Sequence, residues 1–259
     1  MPVPTVRRED DGFVIYSKND GTDYWRLARA CIAENIDQGE LLQAPPGKKP
    51  PIRIERDGVE AVLTPIAYRN PKRMVFRLEA AGRVFILKRA YMGSIGLRRL
   101  FPRLQGTTYF TRVMKMVNTA VGAGCRSTQD YYLVAEKWLS ALRQEIWILL
   151  EYVEGDSLGL HPDLASRKGA LELAVTDLLR HDLTLDDLTL HNFVDSGTAI
   201  YGIDISCRPF TALQKAKMRL KMRRRYGLNL QPATLTEKAL EGMLAVRYRL
   251  RKMLGGKDI

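Results

Sequence analysis

The sequence predicts an α+β chain in two lobes, a small β-rich lobe followed by a mainly helical one. Two patterns lead to that reading: short apolar runs broken by turn residues between Pro51 and Arg89, and apolar residues at helical spacing from Leu164 onward. A third observation lies among the helices, where His181 to Ser206 sets Asp187 and Asn192 in one polar loop and Asp204 at the end of the apolar run after it. At 259 residues the chain is long enough for two lobes that share a cleft. The boundaries read as residues 1–50 for an N-terminal extension, 51–153 for the first lobe and 154–259 for the second.

In the extension, Trp25, Ala28 and Cys31 recur at helical spacing, so Tyr24 to Asn35 reads as a short amphipathic helix, packed on the first lobe by default, with membrane contact and self-association as alternatives. Ala44 to Pro51 is proline-rich and reads as a linker. Strands follow at Ile52 to Ile54, Val59 to Ile66, Met74 to Leu78 and Val84 to Lys88, the last two joined through Glu79 to Gly82 as a hairpin. Val84, Ile86 and Lys88 share a face of the final strand, which sets a lysine at its end where a cation can meet nucleotide phosphates or simply stay solvated. The turn from Arg69 to Arg73 has no glycine and no G-x-G-x-x-G loop occurs, so dinucleotide-fold and ordinary P-loop readings fall away.

Residues 90–124 hold no Asp or Glu. Phe110, Val113, Met114 and Val117 mark a helix that stops at Gly122 and Gly124, and Arg98, Arg99, Arg103, Arg112 and Lys115 give this region a basic surface. Tyr131 to Lys137 is a strand, and another begins at Glu145 and passes through L-E-Y-V-E-G into a crossover. There the backbone groups of Glu151 and Val153 suit an adenine ring, and the same residues equally suit a plain strand and turn. Leu164 to Arg180 is a helix with Leu164, Leu171, Val175 and Leu178 on one face, and it leads directly into the Asp187 loop. Ala212 to Arg225, ended by Gly227, and Thr234 to Met253 are basic helices, the second anchored by Leu240, Met243, Leu244, Tyr248 and Leu250.

Composition narrows the class. A hydrophobic content of 46% supports a core, and 27% charged residues exclude a membrane-embedded protein. No stretch reaches the length of a membrane span, and the N-terminus lacks the apolar core of a secretory signal, so the chain reads as soluble and cytoplasmic. Cys31, Cys125 and Cys207 are widely separated and suit free thiols in a reducing compartment. His161, His181 and His191 are too few and too poorly spaced for zinc. The net charge of +12 is concentrated: Arg208 to Ile259 carry fourteen Lys or Arg against Glu237, Glu241 and Asp258, a balance of +11. An anionic partner follows. Aromatic residues are sparse there and no RRM, KH or zinc-finger pattern occurs, which favours a lipid surface over nucleic acid.

The Asp187 to Asp204 spacing suits phosphoryl transfer. A base must sit near the attacking hydroxyl, and an amide oxygen five residues on, with a second carboxylate at a strand end, can hold Mg²⁺ over nucleotide phosphates. In that reading Asp187 takes the proton or orients the hydroxyl, and Asn192 and Asp204 hold metal. Leu188 and Phe193 anchor the loop, with Ile200, Ile203 and Ile205 holding the segment of Asp204. The same residues also suit a plain polar turn.

In order along the chain, Lys88, the crossover at Glu151 to Gly155, a helix, D-L-x-x-x-N and I-D-I resemble the protein-kinase-like fold shared with aminoglycoside and other small-molecule phosphotransferases. The chain is similar, more closely, to the lipopolysaccharide core heptose(II) kinase family. The similarity is carried by L-Q-G-T-T-Y-F at Leu104 to Phe110, Y-Y-L-V-A-E at Tyr131 to Glu136, L-E-Y-V-E-G at Leu150 to Gly155 and D-L-T-L-H-N-F at Asp187 to Phe193. I-D-I-S at Ile203 to Ser206 and the basic A-L-Q-K-A-K-x-R and R-x-Y-G segments between Ala212 and Gly227 continue it, over residues 55–253 in all. The resemblance implies a bilobal fold, ATP and Mg²⁺ as cosubstrates, and transfer of the γ-phosphate to a heptose hydroxyl of the inner core. It also implies work on the cytoplasmic face of the inner membrane, on a lipopolysaccharide core glycolipid. By matching position, Asp187 would be the base, Asn192 and Asp204 the metal ligands and Lys88 the phosphate-binding lysine.

Two departures stand out. Asp186 precedes Asp187 where the family has glycine, and His191 stands before Asn192 without the H-x-G pattern. No helix glutamate is present in 90–124 to pair Lys88, which leaves Glu136 or another acid for that place. Beside the heptose kinase stand two alternatives, a phosphotransferase acting on an antibiotic or protein hydroxyl and a catalytically weak kinase-like protein that binds a membrane surface.

Overall fold

The computed structural model describes residues 5–33, 50–70, 73–92, 108–140, 143–207, 211–232 and 234–253. The chain divides into two compact units, Met1–Thr119 with Gln129–Tyr152, and Ala120–Thr128 with Val153–Ile259. The first is β-rich and the second mainly helical, the α+β division expected.

An eight-stranded antiparallel sheet forms the first unit. Its strands are β1 (Thr5–Asp10), β2 (Phe13–Lys18), β3 (Ile52–Arg56), β4 (Val59–Asn70), β5 (Arg73–Ala80), β6 (Arg83–Met92), β7 (Tyr131–Trp138) and β8 (Gln144–Glu151), in the order β1-β2-β7-β8-β6-β5-β4-β3. The hairpin β1–β2 had no counterpart in the sequence reading, yet its cause is local. Asp11 and Gly12 both have positive φ, 49° and 75°, the two-residue turn whose twist matches that of the strands. Asp57–Gly58 and Ala81–Gly82 turn the β3–β4 and β5–β6 hairpins in the same way.

Helix α1 (Tyr24–Ala33) covers one face of this sheet. Tyr24, Trp25, Ala28 and Cys31 are buried on it, against Phe13, Ile54, Phe76, Leu87 and Leu149 among others. Tyr24 stacks on Tyr132 at 4.8 Å between ring centroids and Trp25 meets Phe13 at 5.4 Å. The central strand β8 is buried along nearly its whole length, which is why Ile146 to Leu150 reads as a continuous apolar run rather than an alternation. Helix α2 (Tyr109–Gly122) follows Thr108, whose hydroxyl accepts from the Thr111 N–H and also meets the buried Glu136 carboxylate. Of the basic set expected here, Arg112 and Lys115 are exposed on α2, while Arg98, Arg99 and Arg103 lie outside the described residues, as does most of the proline-rich linker.

The second unit is built on α3 (Leu164–Arg180), α4 (Thr211–Tyr226) and α5 (Leu235–Met253), with two small sheets. One sheet has the order β12 (Ile200–Gly202), β11 (Phe193–Asp195), β9 (Asp156–Ser157); the other pairs β10 (Thr184–Leu185) with β13 (Ile205–Ser206). Asp163 caps α3, accepting from the Ser166 N–H at 3.2 Å. Helices α4 and α5 pack through Ala216, Leu220 and Leu244, with Leu213, Leu240 and Tyr248 beside them. Arg219 is buried between them, its guanidinium bonded to Glu237 at 2.7 Å and Glu241 at 2.7 Å.

That ion cluster corrects one expectation. Met243 and Leu250, read as apolar anchors of α5, are exposed, because the face that holds Glu237, Glu241, Leu244 and Tyr248 is the one turned toward α4. No described helix is long and apolar enough to cross a membrane.

Candidate active site

The loop after α3 gathers three of the expected residues within the second unit. Strand β10 pairs antiparallel with β13, Leu185 opposite Ile205, so Asp186 and Asp187, which follow β10, and Asp204, which precedes β13, emerge at the same end of this ribbon. Asn192 closes the loop from within: its Nδ2 donates to the Asp187 carbonyl at 2.8 Å, and its backbone N–H donates to the Thr189 carbonyl at 3.1 Å. The N–H of Ile203 then donates to the Asn192 carbonyl at 2.9 Å, which ties the residue before Asp204 to the loop. Leu188 and Phe193 are buried as anchors, as are Ile200 and Ile205, while Ile203 is half-buried.

The polar groups themselves face outward. Asp187 and Asp204 are exposed and Asn192 is half-buried. Asp204 has a left-handed backbone, φ 59°, which L-residues adopt at a cost and Asp and Asn adopt most readily. The donor set fits a hard cation. With Nδ2 of Asn192 committed to a carbonyl, its Oδ1 is an acceptor only, and an amide oxygen and a carboxylate are both ligand types that Mg²⁺ takes.

A backing segment supports this loop. The 3-10 turn Leu158–Leu160 packs against the 3-10 turn Leu190–Asn192, and the Ser157 hydroxyl lies 3.3 Å from His191 Nδ1. Ahead of it, Gly155 has φ 143°, and a Cβ there would sit 2.1 Å from the Asp195 carbonyl oxygen, so no larger residue fits. Asp195 is held by a two-pronged contact with the Arg167 guanidinium; burial pushes its carboxyl up, but that partner and the Gly197 N–H bring it below the usual range.

Sequence reasoning missed what α4 brings to the loop. The Tyr226 hydroxyl donates to the Leu188 carbonyl at 3.2 Å, and Lys221 is half-buried within electrostatic reach of Asp187. Burial pushes the Lys221 ammonium below its usual pKa, and Arg225 and Lys217, one helical turn to either side, push the same way, against the pull of Asp187. The spacing Lys217, Lys221, Arg225 was visible in the sequence as a basic helix; which loop it borders was not.

The remaining expected residues lie elsewhere. Lys88 is half-buried on β6 between Val75 and Ile148 in register, on the face opposite Phe85 and Leu87. Glu151 ends β8 with its backbone already engaged: the N–H donates to the Asp130 carbonyl at 2.9 Å, and the carbonyl accepts from Gln129 Nε2 at 3.0 Å. Its one donor is taken, so only the second lone pair of that carbonyl is left for a ligand. Val153 is half-buried in the second unit. Glu136, considered as a partner for Lys88, accepts instead from Thr108 and, at 3.1 Å, from Gln144 Nε2.

Cys125, Asp177 and His181 come together although their sequence spacing gave no hint. The Asp177 carboxylate accepts the N–H groups of Arg126 at 2.9 Å and Ser127 at 3.0 Å, fastening that loop to α3, and burial pushes the Cys125 thiol up to about 12.

Comparison with known proteins supplies the family. The model of the lipopolysaccharide core biosynthesis protein (WaaY) family matches residues 80–254. The chain belongs to that family. It is similar to the lipopolysaccharide core heptose(II) kinase WaaY of Escherichia coli strain K12, 25% identical over 158 residues, 61% of this chain and 68% of that one. A second Escherichia coli protein of the same name is 27% identical over 121 residues, 46% of this chain and about half, 53%, of that one. Among solved structures, that of vaccinia related kinase 3 is similar at a TM-score of 0.41 and 13% identity, over 79% of this chain and 76% of that one.

Proposed function

We propose that this chain transfers the γ-phosphate of ATP to a heptose hydroxyl of the lipopolysaccharide inner core. The observation that carries the proposal is the closed hydrogen-bonded loop. Leu185 opposite Ile205, Asn192 Nδ2 to Asp187 and Ile203 to Asn192 together gather Asp187, Asn192 and Asp204 on one small frame. The relatives' names supply the acceptor class.

In this reading Asp187 orients the acceptor hydroxyl and takes its proton as the new O–P bond forms and the bond from the γ-phosphorus to the leaving ADP oxygen breaks. Asn192 Oδ1 and the Asp204 carboxylate would hold Mg²⁺, which when bound neutralises phosphate charge. Lys221 holds a cation within electrostatic reach of Asp187, and Tyr226 keeps Leu188 and the loop in position. Lys88 is assigned to the phosphates, and the Glu151 carbonyl and Val153 amide to the adenine. The acceptor is an anionic glycolipid, so a peripheral site of action on the cytoplasmic face of the inner membrane accords with the +11 balance after Cys207.

The test is transfer of labelled γ-phosphate from ATP to dephosphorylated inner-core lipopolysaccharide, with the labelled sugar mapped. Asp187→Asn should lower the rate by about a thousandfold while nucleotide still binds. An unchanged rate in that variant would remove Asp187 from the chemistry, and label on a soluble aminoglycoside in place of heptose would move the assignment to another phosphotransferase.

A further inference from the structure

Helix α5 carries an apolar stripe on its outer face that no part of the described chain covers. Met243, Val246, Leu250 and Met253 are each exposed by 50% or more, and the exposed Ala239 extends the row by one turn. These residues recur at alternating spacings of four and three, so they form one line along the helix, about 21 Å from Ala239 to Met253. A second row, Leu240, Leu244 and Tyr248, faces α4. The helix is therefore apolar on two sides, and only one of them is buried.

Charge on α5 is sorted by the same rotation. Both of its acids, Glu237 and Glu241, are buried and bonded to Lys215, Arg219 and Arg223 of α4. The described outer surface is left with Lys238, Arg247 and Arg249 and no carboxylate. Arg247 and Arg249 lie on opposite flanks of the apolar line. A second copy seated on the line would bring arginines against arginines along both seams, and with no acid to answer them the contact is repulsive. An anionic lipid surface answers both features at once, since apolar side chains enter the acyl boundary while flanking arginines stay at headgroup level.

We propose that α5 lies in the plane of an anionic membrane, with Met243, Val246, Leu250 and Met253 inserted below the headgroups and Arg247 and Arg249 paired with lipid phosphates. The proposal deepens the glycolipid-kinase reading by naming the surface through which the chain meets its membrane. It stands or falls separately, because partitioning needs neither ATP nor an acceptor.

The experiment is sedimentation of the full chain with vesicles of phosphatidylethanolamine and phosphatidylglycerol, and with phosphatidylcholine vesicles as the neutral control. Wild type and Asp187→Asn should partition alike onto the anionic vesicles. The double variant Val246→Ser/Leu250→Ser, both sites exposed and outside the α4 contact, should lose about tenfold in partitioning and keep its salt dependence. Arg247→Gln/Arg249→Gln should lose about thirtyfold, most of it electrostatic and therefore erased by high salt. A wild type that stays in the supernatant, or a serine variant that partitions like wild type, would overturn the proposal. So would light scattering that finds a dimer which the serine variant dissolves, since the stripe would then face a second copy.

Discussion

Asp204 illustrates how one residue carries a backbone requirement and a chemical one that can be separated. Its φ of 59° favours Asp or Asn, and its carboxylate is the assigned metal ligand. Asp204→Asn should unfold like wild type yet lose Mg²⁺-dependent transfer, whereas Asp204→Ala should lose transfer and about 1 kcal/mol of stability as well. Urea denaturation beside a Mg²⁺ titration of transfer separates the two. Glu136 makes the opposite case, a buried acid away from the loop. Burial pushes its carboxyl up to about 7, against the hydrogen bonds from Thr108 and Gln144 that pull it down. A carboxyl that holds its proton more tightly folded than unfolded makes the native state lose stability as pH rises from the unfolded value toward 7. The full cost, on the order of 3 kcal/mol, is reached above that. Glu136→Gln should flatten the dependence of the urea midpoint between about pH 5 and pH 8; an equally steep slope in the variant would assign the effect to another group.

Among the elements, the α4–α5 pair is held by a buried guanidinium. Arg219→Met removes the cation that Glu237 and Glu241 share, but Lys215 still meets Glu237 and Arg223 still meets Glu241. The loss should therefore lie near the lower end for a broken buried pair, about 3 kcal/mol, read as a shift in the urea midpoint. This cluster also explains what the sequence of α5 conceals. Periodicity alone offers two apolar faces, Leu240–Leu244–Tyr248 and Met243–Val246–Leu250, and a moment cannot choose between them; the acids at 237 and 241 choose, once Arg219 is known to lie opposite. The loop from Asp187 to Asn192 was legible because its ring of bonds spans five residues. Lys221, Tyr226 and the occupied N–H of Glu151 were not, since each depends on a neighbour more than twenty residues away or on which strand pairs with which. The turn at Asp11–Gly12 was legible in principle, a D-G pair between alternating residues, and its hairpin belongs to the same class as the one read at Glu79 to Gly82.

For the molecule as a whole, the family match begins at residue 80, so the first hairpin lies outside it. That hairpin nonetheless joins the sheet, with β2 paired along β7 from Val14 opposite Glu136 to Ser17 opposite Leu133. The other side of the sheet ends in β3, whose Arg53, Glu55 and Arg56 are exposed, and β1 ends this side with Arg7, Arg8, Glu9 and Asp10. Each border thus consists of a strand studded with charge, the kind that resists pairing with a stranger. Beneath β1 and β2, however, lies β7, buried from Leu133 to Glu136 and apolar for most of its length. Cutting the chain after Lys18 would leave the interior of that strand as the new border, with its N–H and C=O groups bare and its neighbours hydrophobic. The shortened protein should precipitate or form fibrils that bind thioflavin at concentrations where the full chain stays clear. The hairpin from Thr5 to Lys18 thus acts as a selvedge, the finished edge that keeps a woven sheet from fraying into its neighbours.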